Sequence, residues 1–283
     1  LLSKLKWGGA LLVGAISYVV FFMTMAPTVS FWDCGEFIAV ANILGIPHPP
    51  GTPFYVILGR VAIILMPWID EIAARVNLLS VISSALAVMF SYLVAWEILE
   101  QWFRSRGKLE EPSARWALPI GSLIAGFLVA FSDTFWFNAV EAEVYGIAMA
   151  VVFLITWLSL VWMRRRESEF GDRLFIFIGY IAFLGIGFQL YTVITLPALF
   201  LFFLLVEPDL RRIERFPFWA TAVLLYSVVY RVESFPEISV SLLIITAIAL
   251  LISKASKNAV WIRTWRLSFW LVFVALLGYS THA

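Results

Sequence analysis

Apolar residues occur along the chain in long runs divided by short polar connectors. A helix that crosses a bilayer needs about 20 predominantly apolar residues, because the hydrocarbon is about 30 Å thick and each residue rises about 1.5 Å. Runs that meet or approach this length lie near residues 8–27, 77–98, 116–132, 146–163, 174–192, 193–206, 217–230, 237–253 and 267–280. The pattern predicts an all-α, polytopic transmembrane protein of about nine spanning helices. The first run, from Trp7 to Pro27, outlasts the apolar region of a signal peptide and reads as a retained helix.

Residues 53–66 are apolar enough to tempt a tenth crossing, yet fourteen residues reach only about 21 Å. Arg60 sits in the middle and Pro67 just beyond. The segment reads as an interfacial or re-entrant helix, which lipid permits where protein covers the backbone. The first outer loop then covers 28–76 and the second 133–145, within a single membrane domain over 1–283.

The connectors alternate in charge. Lys4 and Lys6; Arg104, Arg106, Lys108 and Arg115; Arg164, Arg165, Arg166 and Arg173; Arg211, Arg212 and Arg215; and Lys254, Lys257, Arg263 and Arg266 fall on one side. By the positive-inside rule that side is cytoplasmic, with the N-terminus, and the acidic loops face out of the cytoplasm. Composition agrees: 62% of residues are hydrophobic and only 14% charged, against about 25% charged in soluble domains. A net charge of +1 gives no bulk attraction to nucleic acid. Cys34 is the sole cysteine, so no internal disulfide forms.

The outer loops hold the candidate chemistry. Asp33 and Glu36 share one face of a helix expected over about 33–44, with Asp33 as its N-cap. Phe31, Trp32, Phe37, Ile38 and Val40 surround them, which predicts partial desolvation and a raised pKa suited to a general base. Asp133, Glu141 and Glu143 give the second loop a like mixture of acids and aromatics, ending at Tyr145. Two such clusters of acids among aromatics, with no Lys or Arg beside the acids, point to a shared cleft, and these acids are candidate ligands for a divalent cation. IPHPPGTP, residues 46–53, is turn chemistry carrying His48, Pro49 and Pro50. Arg60 and Arg75 are the basic residues nearest this surface, able to snorkel or to meet a lipid phosphate. No zinc spacing, phosphate-cradling glycine loop or nucleophile elbow is present. A secondary transporter would place ionisable residues inside the spans, whereas here the acids cluster in loops. That reading, and a non-catalytic subunit of a larger membrane complex, stay open.

PTVSFWDCGEFIAVANILGIPHPPGTPFYVILGR (27–60) with FWFNAVEAEVYG (135–146) resembles the protein O-mannosyltransferase-like family, within the GT-C class of membrane glycosyltransferases. The likeness covers about the first 200 residues. It implies an inverting transfer of a sugar, typically mannose, from a polyprenyl-phosphate donor to a protein hydroxyl on the outer side of the cytoplasmic (inner) membrane. It implies that Asp33 is the base, with Glu36 beside it, and that His48, Pro49 and Pro50 shape the site. Arg60, Arg75, Glu141, Glu143 and Tyr145 would then bind donor or acceptor. The acid pair, adjacent in other members, is split here by Cys34 and Gly35, and Gly51 follows the His-Pro-Pro element. Family members are longer, so the chain reads as the membrane part of a larger protein.

Overall fold

The computed structural model describes residues 2–49, 51–206, 216–229 and 234–280; Pro50, Arg211, Arg212 and Arg215 lie outside them. Every regular element among the described residues is helical. Among the described residues six helices are long and apolar enough to cross a membrane: α1 (Leu2–Thr24), α4 (Ile72–Ser105), α5 (Pro112–Ala130), α7 (Tyr145–Arg165), α11 (Phe235–Ser256) and α12 (Ala259–Tyr279). The chain is therefore an all-α membrane protein. The other expected crossings are shorter or more charged. α8 (Glu169–Ile186) carries Glu169, Asp172 and Arg173 in its first turns, a 3₁₀ turn at Leu190–Ile194 precedes α9 (Thr195–Val206), and α10 (Phe216–Val228) has thirteen residues.

Internal contacts divide the chain into two compact units, Leu1–Val161 with Phe188–Leu190, and Trp162–Gly187 with Tyr191–Ala283. In the first unit α1 and α5 pack on α4 around Val13, Phe21, Val81, Val88, Tyr92, Trp96 and Leu118. Gly9 makes the α1–α4 approach possible, since a Cβ there would lie 2.1 Å from the Tyr92 hydroxyl. That hydroxyl donates to the Leu5 carbonyl at 3.3 Å. Small residues at crossings let helices dock closely in lipid, where no hydrophobic force drives them together. α4 has 34 residues, about 51 Å of helix, and outruns the apolar run of 77–98. Its last turns carry Glu97, paired with Lys6 of α1, and Glu100, which accepts from Trp96 and Arg104. Hydropathy marks where lipid ends; helix-favouring Glu, Leu and Gln carry the helix further.

Between α1 and α4 lie α2 (Cys34–Ile43) and α3 (Pro53–Leu65), packed on each other and on α4. Asn77 of α4 ties the entry to this segment by donating to the Ala26 and Thr28 carbonyls at 2.8 and 3.1 Å. The second loop is more ordered than its sequence suggests, because Asp133–Ala139 forms α6. Phe135 and Trp136 of α6 pack on Phe21, and Trp136 Nε1 donates to Thr24 Oγ1 at 3.0 Å.

In the second unit α8, α10 and α11 pack on α12. Asp172 is the charged knot: Arg263 and Arg266 of α12 reach its two oxygens at 2.7 and 2.9 Å, and Arg263 also holds the Arg166 carbonyl. Phe175, Ile178, Phe200, Phe203, Phe218 and Leu271 line an apolar cavity of about 230 Å³ in this unit.

Candidate active site

The chain enters α2 through Trp32, whose φ of 60° is left-handed, a conformation costing on the order of 1 kcal/mol for a bulky residue. Asp33 follows with helical φ and ψ, and its side chain makes no capping bond. The expected N-cap role is thus not taken, because Asp33 already lies in the helical region, where a capping side chain is wrongly aimed. Its carboxylate is more than half exposed and faces His48, with Oδ2 3.9 Å from Nε2.

The histidine comes back to α2 from twelve residues downstream. Leu44 ends α2 in a left-handed conformation at φ 55°, and Pro47 and Pro49 stiffen the return. Gly51, at φ 74°, closes a turn by donating its N–H to the His48 carbonyl at 2.9 Å. Thr52 and Pro53 then start α3. Glu36 grips His48 twice: Oε1 accepts the His48 main-chain N–H and Oε2 the ring at Nδ1, both at 2.7 Å. These bonds hold the Glu36 carboxyl below its usual range and push His48 above its own. The raised pKa expected of the exposed pair is therefore wrong for Glu36, because a hydrogen-bonded imidazole favours its ionised form.

A buried layer adjoins this cluster. Glu141 and Glu143 stand in the bend between α6 and α7 and are 2% and 6% exposed. Cys34, fully buried at the start of α2, donates its S–H to Glu143 Oε1 at 3.8 Å. Ser80 of α4 fixes the bend, its Oγ accepting from the Glu143 N–H at 3.1 Å and donating to the Glu143 carbonyl at 3.2 Å. Gly146 permits the fit, because a Cβ there would lie 2.3 Å from Ser84 Oγ. Burial pushes the Glu143 carboxyl up to about 7, aided by the charges of Glu141 and Asp33. Burial also raises the Cys34 thiol, with Glu141 and Glu143 adding to the effect. Tyr55 of α3, with no exposed surface, has its phenol raised by burial and by the nearby charge of Glu143.

The donor atoms of Asp33, Glu36 and His48 lie within 4.8 Å of one another, as do those of Cys34, Glu141 and Glu143. Either group has room for a cation, and each is also held by its own hydrogen bonds. Arg60 and Arg75 spend their guanidinium groups on backbone. Arg60 Nη1 donates to the Asn42 carbonyl at 2.6 Å, and Arg75 donates to the Ile69 and Ile63 carbonyls at 2.6 and 2.8 Å. They cap the last turns of α2 and α3, where the helix dipole favours a cation. Tyr145 opens α7, 43% exposed, and Pro49 is exposed beside His48. Asp133 lies in the first turn of α6, outside both groups. Cys34, Tyr55 and Ser80 are the members sequence reasoning missed; only Cys34, set between the two acids, carried a local signal.

Residues 33–211 match the family model described as the Protein O-mannosyl-transferase TMEM260 N-terminal domain. The chain is 26% identical over 152 residues to Protein O-mannosyl-transferase tmem260 of Dictyostelium discoideum, covering 53% of this chain and 16% of that protein. It is 29% identical over 152 residues to Protein O-mannosyl-transferase TMEM260 of Mus musculus, covering 54% of this chain and 19% of that protein. The chain thus spans less than a fifth of the length of these curated relatives. No solved structure matches it. The matched region takes in Asp33, Glu36, His48, Glu141 and Glu143 together, and the chain belongs to the family of TMEM260 N-terminal domains.

Proposed function

We propose that this chain is the membrane domain of a protein O-mannosyltransferase of the GT-C type. It moves mannose, with inversion, from a polyprenyl-phosphate donor to a protein hydroxyl on the extracytoplasmic face of the cytoplasmic membrane. In this reading the chain crosses the bilayer about nine times with its N-terminus inside. One observation carries it: Asp33, Glu36 and His48 converge on an exposed face within electrostatic reach of buried Glu143, in a chain whose curated relatives are named protein O-mannosyl-transferases.

The chemistry divides accordingly. The acceptor hydroxyl is a weak nucleophile, and a positioned carboxylate activates it by taking its proton. Asp33 has that role, being exposed where an acceptor arrives. The hydroxyl oxygen forms a bond to the sugar C1 while the C1–O bond to phosphate breaks and the phosphate keeps the electron pair. Exposed Phe31 and Trp32 precede Asp33 in the chain, and exposed Ile43 and Ile46 lie at the far end of α2; together they suit the isoprenoid and lipid that deliver the donor. Glu36 and Pro49 set the geometry around His48, and Glu141, Glu143 and Tyr145 form the wall for the sugar. Arg60 and Arg75 hold α2 and α3 in place and are the nearest cations for the donor phosphate.

The test uses the full-length protein in liposomes with polyprenyl-phosphate mannose and a peptide rich in Ser and Thr. Mannosyl peptide and free polyprenyl phosphate should appear together. Asp33→Asn should abolish both at unchanged expression and melting temperature. Near-normal turnover by Asp33→Asn would remove Asp33 from the role of base.

A further inference from the structure

We propose that His48, held by Glu36, is the proton relay of the site, receiving from Asp33 the proton that leaves the acceptor hydroxyl. This deepens the transfer reaction above and rests on it.

Three contacts carry the inference. An ionised carboxylate only accepts hydrogen bonds, so the 2.7 Å contact between Glu36 Oε2 and Nδ1 requires the proton on Nδ1. Neutral His48 therefore presents a bare Nε2, which faces Asp33 Oδ2 across 3.9 Å. That gap is too wide for a direct hydrogen bond and suits a shared oxygen, because a point about 2.8 Å from both atoms exists. An acceptor hydroxyl fits there before transfer and a water after it. The third contact, from the His48 main-chain N–H to Glu36 Oε1, prevents the ring from swinging away.

The proton balance is complete. Asp33 takes the hydroxyl proton as the C1–O bond forms. The proton then passes through the bridging oxygen to Nε2, and Asp33 is ionised again. The charged groups that act on the resulting imidazolium are Glu36, Asp33 and Glu143, all acids. A carboxylate alone stores a proton poorly near neutral pH, whereas imidazole, at about 6.5, is matched to the task. Because Glu36 raises His48, the working neutral form should dominate only on the alkaline side of that value.

Two measurements test this. ¹⁵N-histidine NMR of the full-length protein in detergent, with the His48 signals identified by their loss in His48→Gln, resolves the ring nitrogens. The expected neutral tautomer carries its proton on Nδ1 with Nε2 bare; a proton on Nε2 would overturn the relay whatever the activity. In the peptide assay, transfer by the unaltered protein should fall as pH drops through the His48 titration. His48→Gln should lose about 100-fold, the lower end for a proton-transfer group, and lose that acid limb. Glu36→Gln should keep the limb but move it to lower pH. An active protein in which His48→Gln keeps the rate and the limb sinks the relay alone. Failure of the unaltered protein to transfer mannose sinks the reaction on which it rests.

Discussion

Replacing Glu143 by Gln should stabilise the protein, and by an amount that grows with pH. In the folded chain Glu143 is 6% exposed, beside Glu141 and within the field of Asp33, and its carboxyl rises from 4.5 to about 7. That displacement costs the ionised form about 3 kcal/mol, at about 1.4 kcal/mol per tenfold. The folded-state value lies above the unfolded one. Below about pH 4.5 the group is protonated in both states and imposes no penalty. Between about pH 4.5 and 7 the unfolded chain ionises this group while the folded chain holds its proton, so the cost accumulates there and levels off above about 7. Gln keeps the shape and has no charge to desolvate. Unfolding followed by tryptophan fluorescence in detergent should give nearly equal stabilities for the two proteins at about pH 4, below the ordinary carboxyl range. At about pH 8.5 the Glu143→Gln variant should lead by up to about 3 kcal/mol. An equal difference at both pH values would show that packing, and not buried charge, sets the effect.

Two further outcomes follow from the same layer. Cys34, fully buried with its thiol raised by burial, should react with maleimide far more slowly than a free cysteine until the protein is unfolded, since the thiolate is the reactive form. Gly146→Ala should destabilise by about 1–3 kcal/mol, the usual range for overpacking, because its Cβ would meet Ser84 Oγ at 2.3 Å. Adding Ser84→Ala should recover part of the loss in a thermal melt.

The local order of the site was legible and its closure was not. The amphipathic spacing of Asp33 and Glu36 places α2 correctly, and the short apolar segment around Arg60 is a helix of thirteen residues, as its length requires. The return of His48 onto Glu36 depends on the left-handed Leu44 and on the Gly51 turn, and no pattern in a sequence fixes the direction such a loop takes. The depth of Glu141 and Glu143 was hidden for a related reason. Two acids beside a span read as solvated, and only Ser80, sixty-three positions away and hydrogen-bonded to the Glu143 main chain, draws them inward. The runs expected near 174–192 and 193–206 meet at a different place in the structure: α8 ends at Ile186 and the 3₁₀ turn at Leu190–Ile194 leads into α9, a break that hydropathy alone does not register.

The grip of Ser80 on Glu143 couples the long apolar helix α4 to the acid layer through a single hydroxyl. A slide of α4 by one turn, about 5.4 Å, would break both bonds and free the bend that carries the carboxylates. Tension or thinning of the surrounding lipid that displaces α4 would therefore pull directly on the segment that carries Glu141 and Glu143.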